Sequence, residues 1–222
     1  MKFTDETIQI MQAMGAMNEH LVINGGDKIS SLSERRNRMM EVHLNDSFPV
    51  PFALHSLSGF LRQLSLFDEP EFEFGENSMI ITDQFGAKSD YFYSNKEDLV
   101  YMRKELPELT IAHEFRLPAV ALDKVLRAAA ANKVEDIAFV GEDGGVFIKA
   151  LDKENPKRVF SVRLGDTDQQ FEVFLKHGKK NKLTLMPLSY IVRLSDNGLI
   201  KLTGLFGEKN DIKVTYIMAA ER

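Results

Sequence analysis

Two stretches of this chain echo each other. Arg158–Thr167 reads Arg-Val-Phe-Ser-Val-Arg-Leu-Gly-Asp-Thr, and Arg38–Ser47 reads Arg-Met-Met-Glu-Val-His-Leu-Asn-Asp-Ser. Overlaid, Arg38 meets Arg158, Val42 meets Val162, Leu44 meets Leu164 and Asp46 meets Asp166. Both alternate apolar and polar residues, the pattern of a half-buried β-strand, and both run into a turn signal, Asn45-Asp46 and Gly165-Asp166. The copies lie just over half of the 222 residues apart. That spacing predicts two copies of one domain, each of about 110 residues.

The flanks repeat the same order of elements. Residues 4–18 predict an amphipathic helix, with Phe3, Thr7, Ile10, Met11, Met14 and Met17 on one face and Asp5, Gln9, Gln12 and Ala16 on the other. Strands follow at Leu21–Asn24, Lys28–Ser33, Arg38–Leu44 and Pro49–Leu54, with a hairpin signal at Asn24-Gly25-Gly26-Asp27. Ser56–Phe67 predicts a second helix that buries Leu57, Phe60, Leu61 and Leu64 and turns Ser58, Arg62 and Ser65 outward. Strands Glu71–Phe74, Met79–Thr82 and Lys88–Tyr93 complete the first unit.

The second unit starts with a helix, Ala119–Asn132, and a hairpin, Asp136–Val140 with Val146–Leu151, turning at Gly141–Gly145. The echo strand Arg158–Leu164, a strand at Phe171–Leu175 and a short, weak helix over Lys176–Pro187 come next. Strands Ser189–Leu194, Leu199–Thr203 and Ile212–Ala219 end the chain. The expected fold is α+β: two topologically similar domains, residues 1–94 and 118–222, each with helices on one face of antiparallel sheets. Residues 95–117 between them read as a linker, with an apolar patch, Leu99-Val100-Tyr101-Met102, and charges around Pro107.

Little in the chain suggests catalysis. There is no cysteine, which excludes disulfides and thiolate chemistry. The five histidines, His20, His43, His55, His113 and His177, lack metal-ligand spacing. No Gly-x-Ser-x-Gly, Walker loop or dinucleotide fingerprint is present, and Gly141–Gly145 suits a hairpin turn better than a phosphate cradle. No catalytic residue, metal or cofactor is expected. The N-terminus lacks the apolar core of a signal peptide, and no apolar run is long enough to span a bilayer.

Charge is distributed unevenly. The net charge is −5, yet Lys176-His177-Gly178-Lys179-Lys180-Asn181-Lys182 holds four lysines in seven residues. With Leu122, Val125, Leu126 and Ala129 inward, Lys124 and Arg127 share an outward helical face with Ala128 and Ala131, and Arg62 stands outward on the second helix of the first unit. Cations on smooth helical faces suit phosphates, which position a protein on DNA without reading sequence. The expected DNA contacts are Arg62, Lys124, Arg127, Lys176, Lys179, Lys180 and Lys182.

The chain resembles the sliding clamps, or DNA polymerase processivity factors, of T-even-type bacteriophages. The resemblance is closest in Leu57-Ser58-Gly59-Phe60-Leu61-Arg62-Gln63-Leu64-Ser65-Leu66, in Asp123-Lys124-Val125-Leu126-Arg127 leading to Asp136-Ile137-Ala138, in Arg158–Asp166, and in Lys201-Leu202-Thr203-Gly204 through Ile217-Met218-Ala219. It covers nearly the whole length, and its specificity comes from the sum of these stretches. It implies the DNA clamp fold and a homotrimeric ring, closed head to tail, with helices lining the hole. It implies a ring that encircles double-stranded DNA, tethers a DNA polymerase, is opened by a clamp-loader ATPase complex, serves late transcription factors, and works in the cytoplasm of an infected bacterium. It does no chemistry itself.

Ring closure would need edge strands, and the candidates are Tyr91, Phe92 and Tyr93 against Arg158, Val159, Phe160 and Val162 of a neighbour. The resemblance also implies a groove for partner peptides, at Leu99, Val100, Tyr101 and Met102 with Tyr216, Ile217 and Met218. One departure stands out: the outward face of the first helix carries no cation beyond Lys2 near its start. Two other classes compete, a virion or assembly protein built of duplicated β-rich domains and a hydrolase with a dispersed acidic site.

Overall fold

The computed structural model describes residues 1–103, 108–155, 158–178 and 183–221. The chain divides into two compact units, Met1–Leu106 with Phe206–Thr215, and Pro107–Leu205 with Tyr216–Arg222.

The first unit opens with α1, Asp5–Gly15, capped by the Thr4 hydroxyl, which accepts the Thr7 N–H at 3.3 Å. Ile10, Met11 and Met14 are buried while Asp5, Gln9, Gln12 and Ala16 are exposed, so the helix lies as its periodicity predicts. Strands β1 (Leu21–Ile23), β2 (Gly26–Leu32), β3 (Arg38–Phe48) and β4 (Phe52–Leu54) form antiparallel ladders in the order β4-β1-β2-β3. Gly25 and Gly26 take φ of 84° and 75° between β1 and β2, a conformation open to glycine at little cost.

Strand β3 runs through Asn45-Asp46, where the sequence suggests a turn. The Asp46 carboxylate is used instead as an anchor: it accepts the Thr4 N–H at 2.8 Å and the Thr4 hydroxyl at 3.0 Å, tying β3 to the start of α1. Helix α2 (Leu57–Leu64) buries Leu57, Phe60 and Leu64. Strands β5 (Glu71–Phe74), β6 (Ser78–Thr82) and β7 (Lys88–Phe92) form a separate antiparallel sheet in that order. Phe3 stacks on Phe72 at 4.0 Å between centroids and meets Phe48 edge-on at 5.4 Å, so an aromatic cluster fills the space near the N-terminus.

The second unit contains β8 (Ile111–Leu117), α3 (Ala119–Asn132), β9 (Asp136–Glu142), β10 (Gly145–Leu151), β11 (Val159–Asp166), β12 (Phe171–Lys176), β13 (Tyr190–Ser195) and most of β14 (Leu199–Phe206). Strand β15 (Ile212–Ala219) is divided between the units. One sheet has the order β11-β10-β9-β12, and β13 pairs antiparallel with both β14 and β8. Helix α3 packs against β9, β10 and β11 and buries Ala121, Leu122, Val125 and Ala129. The β9–β10 hairpin closes with the two residues Asp143 and Gly144, both at positive φ, inside the stretch that signals the turn.

Two expected elements differ. Residues 111–117, inside the expected linker, form β8, because its alternation lets Leu117 enter the core while the strand pairs with β13. The helix expected over Lys176–Pro187 is absent among its described residues. Lys176 ends β12, and Met186 is held by two tyrosines: its N–H donates to the Tyr216 hydroxyl at 3.2 Å and its carbonyl accepts the Tyr190 hydroxyl at 2.7 Å. Those bonds take the place of helical partners. Burial pushes the Tyr216 hydroxyl up to about 12, with the bond from Met186 opposing, and pushes Tyr190 up as well, so both stay neutral.

Candidate functional site

Helix α2 presents Arg62, exposed in its last turn. Its start is built on Glu19, whose carboxylate accepts the Ser58 hydroxyl at 2.7 Å, the Ser58 N–H at 3.1 Å and the Ser56 hydroxyl at 3.1 Å. The Ser58 hydroxyl bond holds the Glu19 carboxyl below its ordinary value, against burial and aided by the Ser58 N–H, the Ser56 hydroxyl and the charge of Arg62. An anion at a helix N-terminus is also favoured by the helix dipole.

Helix α3 presents Lys124 and Arg127, both exposed, with exposed Ala131 and half-buried Ala128 beside them. Arg127 pairs with Asp123 one turn back at 2.7 Å. Pairs so exposed contribute little and give way to a stronger anion such as phosphate. The helix begins with its Ala119 N–H donated to the Ser189 hydroxyl at 3.1 Å and ends at Lys133, in a left-handed conformation with φ 54°. Lys133 is exposed and adds a cation at the C-terminal end of α3. It lies just past the last residue of the helical pattern, so helical-face counting missed it.

Lys176 is placed differently. Its ammonium lies 2.9 Å from Oδ1 of the buried Asp136, and that bond raises its pKa above 10.5, with burial opposing. It is therefore tied into the fold and is not presented freely to a phosphate. Lys179, Lys180 and Lys182 lie outside the described residues. Helix α1 adds no cation on its exposed face, and Lys2 near its start pairs with Glu69 at 2.9 Å and Glu71 at 3.6 Å.

Strand β7 is an edge of its three-stranded sheet and β11 an edge of its four-stranded sheet. Tyr91 meets Phe60 of α2 edge-on at 5.0 Å, and Tyr93 stacks on Phe52 at 5.4 Å. The Phe92 ring points the other way and is 72 % exposed. On β11, Val159 is 47 % exposed, Phe160 and Val162 are half-buried, and Arg158 just before the strand is exposed. Unpaired edges of this kind are templates for another strand.

The expected peptide groove is largely core. Leu99 is buried with Val22 and Ala53, and Tyr101 packs against that cluster. The Val100 N–H donates to His20 Nδ1 at 3.0 Å, and its carbonyl accepts the Asn18 side chain at 2.9 Å. Tyr216, Ile217 and Met218 are all buried. Their apolar side chains gain more from packing than from waiting exposed for a partner. Val100, Tyr101 and Met102 are half-buried. On the first unit a recess of about 560 Å³ is lined by residues that include Val22, Pro51, Phe52, Asn77, Phe92 and Tyr93. Among the described residues no group of three or more acidic or histidine side chains could hold a metal ion, and no helix is long and apolar enough to cross a membrane.

No family model matches the chain. The chain is 28 % identical to the sliding clamp of Vibrio phage KVP40 over 92 % of its length and 95 % of that protein's. It is 24 % identical to the sliding clamp of Escherichia phage RB69, over 100 % of this chain and 97 % of that one, and 24 % identical to that of Enterobacteria phage T4 over 76 % of each. Among solved structures, PCNA of A. fulgidus, bound to the C-terminal region of FEN-1, superposes with a TM-score of 0.70 at 13 % identity, covering 97 % of this chain and 94 % of that one. Proliferating Cellular Nuclear Antigen from Entamoeba histolytica gives 0.71 at 10 % identity, covering 98 % and 95 %. The three phage relatives are sliding clamps. This chain is a homologue of the sliding clamps of T-even-type bacteriophages and has the DNA clamp fold.

Proposed function

We propose that three copies of this chain close head to tail into a ring that encircles duplex DNA, slides along it and tethers a replicative DNA polymerase. The observation that carries the reading is that exposed cations stand on helices of both units, Arg62 on α2 and Lys124 and Arg127 on α3, in a chain of net charge −5. Helical cations attract phosphates without reading bases, which is what a sliding contact needs, since base-specific bonds would hold the ring at one site. An acidic remainder keeps DNA off the outer surface. The free edges β7 and β11 support a heterologous contact that closes by rotation.

A clamp-loader ATPase opens and closes this ring, and partner proteins dock short apolar segments on it. The A. fulgidus clamp bound to the C-terminal region of FEN-1 supports that mode of docking. Val100–Met102 are the half-buried part of the implied groove. The similarity to phage proteins supports extending the reading to late transcription and to the cytoplasm of an infected cell.

The test has two steps. Light scattering over a range of concentrations should find a species about three times the 25.2 kDa chain. With a loader, the protein should stay on closed circular DNA and run off linear DNA. Equal retention on both, or a monomer at every concentration even with loader and DNA, overturns the ring. Neutralising Lys179, Lys180 and Lys182 together should weaken retention and flatten its salt dependence while ring mass stays the same.

A further inference from the structure

We propose that the recess on the first unit is a docking site of its own, which takes an extended, uncharged segment of a partner protein carrying one large apolar side chain. The site is separate from the implied groove: none of its lining residues is among Leu99–Met102 or Tyr216–Met218. All of them belong to the first unit, so the site does not depend on ring closure.

The floor is apolar. Strands β1 and β4 pair with Val22 opposite Ala53 and Ile23 opposite Phe52, and Val22, Phe52 and Ala53 are buried. Aromatic walls come from the end of β7 and the residue after it: Phe92 is exposed, and the Tyr93 ring stacks on Phe52 at 5.4 Å. A recess of about 560 Å³ on such a floor holds a large side chain together with the peptide units beside it, and apolar burial supplies the attraction.

The polar groups around the floor match a peptide backbone. Asn24 and Asn77 stand exposed at the rim with no side-chain partner among the described residues, and the Asn95 amide spends only its oxygen, on the Glu97 N–H at 3.2 Å. A primary amide offers both a carbonyl and an NH2, so it can close two hydrogen bonds with one peptide unit. The Tyr93 hydroxyl is buried and also lacks a partner. A buried hydroxyl left unpaired costs stability, and a ligand that brings an acceptor recovers it.

The backbone adds a donor. The Ala53 carbonyl accepts the Ser94 N–H at 2.9 Å, on the side of β4 away from β1. In an antiparallel strand the N–H and C=O of one residue turn the same way, so the Ala53 N–H also faces outward beside Ser94, where a main-chain carbonyl can meet it.

Charge decides against other ligands. Among the residues that line the recess, Glu76 and Lys96 alone are charged, and they cancel. A phosphate or a nucleic-acid strand finds no net positive charge there.

Blocked single residues test the site on the full-length, isotope-labelled protein. N-acetyl-leucine methylamide should bind saturably, with a Kd of about 1 mM. It should shift the amide resonances of Ala53, Asn77, Tyr93 and Ser94 while those of Val100 and Tyr216 stay in place. N-acetyl-alanine methylamide, which lacks most of the apolar side chain, should bind about tenfold more weakly. Tyr93→Phe should weaken binding about two- to fivefold without lowering the urea midpoint, because its hydroxyl has no partner to lose. Asn77→Ala should weaken binding by a similar factor. Toluene binding as tightly, with the same shifts, would show a plain apolar cavity and overturn peptide recognition. Variants that bind as tightly as the native chain would do the same. Shifts confined to Val100 and Tyr216, or no saturable shift at Ala53 and Tyr93, overturn the site. Light scattering on the same samples reads ring mass separately, so failure here leaves the ring standing.

Discussion

Lys176 Nζ lies 2.9 Å from Asp136 Oδ1, where the end of β12 meets the start of β9. Asp136 is only 5 % exposed, so its charge is compensated inside the fold. Removing the lysine would strand a buried carboxylate. Lys176→Met should therefore lower stability by about 1.5–3 kcal/mol in urea titrations. It should leave the salt dependence of DNA retention unchanged, and a shallower slope would return Lys176 to the DNA contacts. Because its folded pKa is raised, this stabilisation is full below 10.5 and is lost as the pH climbs through the folded value.

Glu19 predicts the opposite pH limb. Its folded pKa is lowered from 4.5, first by the Ser58 hydroxyl, so its contribution is present above 4.5 and is lost as the pH falls through the folded value. Glu19→Gln should reduce stability at neutral pH by about 1 kcal/mol and flatten the acid limb of stability against pH. An unchanged acid limb would show that the serine bonds do not distinguish the charged carboxyl.

The segment at Val100 is clipped on both sides of one residue, by His20 Nδ1 on its N–H and by Asn18 on its carbonyl. Asn18 also donates to the Leu32 carbonyl at 2.8 Å, so one side chain holds this segment beside β2. His20→Phe should speed hydrogen exchange at the Val100 amide about fivefold, the equivalent of one lost hydrogen bond. Exchange as slow as in the native chain would mean that packing of Leu99 and Tyr101 alone holds the segment.

Lys124 and Arg127 stand exposed on α3, clear of the core that Leu122 and Val125 enter. Replacing both by Ala, a good helix former, should keep the helix and the ring mass. The slope of log affinity against log salt should fall by about 0.9 for each phosphate contact removed. An unchanged slope would take α3 away from the DNA.

Much of this architecture could be read before any coordinates. The faces of α1 and α3 follow from apolar spacing, since a helix returns a side chain to the same face every three to four residues. The β9–β10 turn follows from Asp143-Gly144, and the two echo stretches are indeed strands. Strand β8 was hidden because its short alternation follows the charges around Pro107. The C-terminal end of β3 was hidden because Asn and Asp signal turns only on average, and Asp46 was used to hold Thr4 instead.

The sequence by itself determined which side of each helix and strand is apolar, where glycine permits a turn, and where positive charge gathers, because these depend on local spacing and backbone sterics. Tertiary structure alone decided which charges are free. Lys176 and Lys124 look alike in sequence, but one faces Asp136 across a ladder and the other faces solvent. It also decided that Leu99 packs inward and that β7 and β11 are edges. Partners brought together across forty or eighty positions set those outcomes, and no local pattern encodes them.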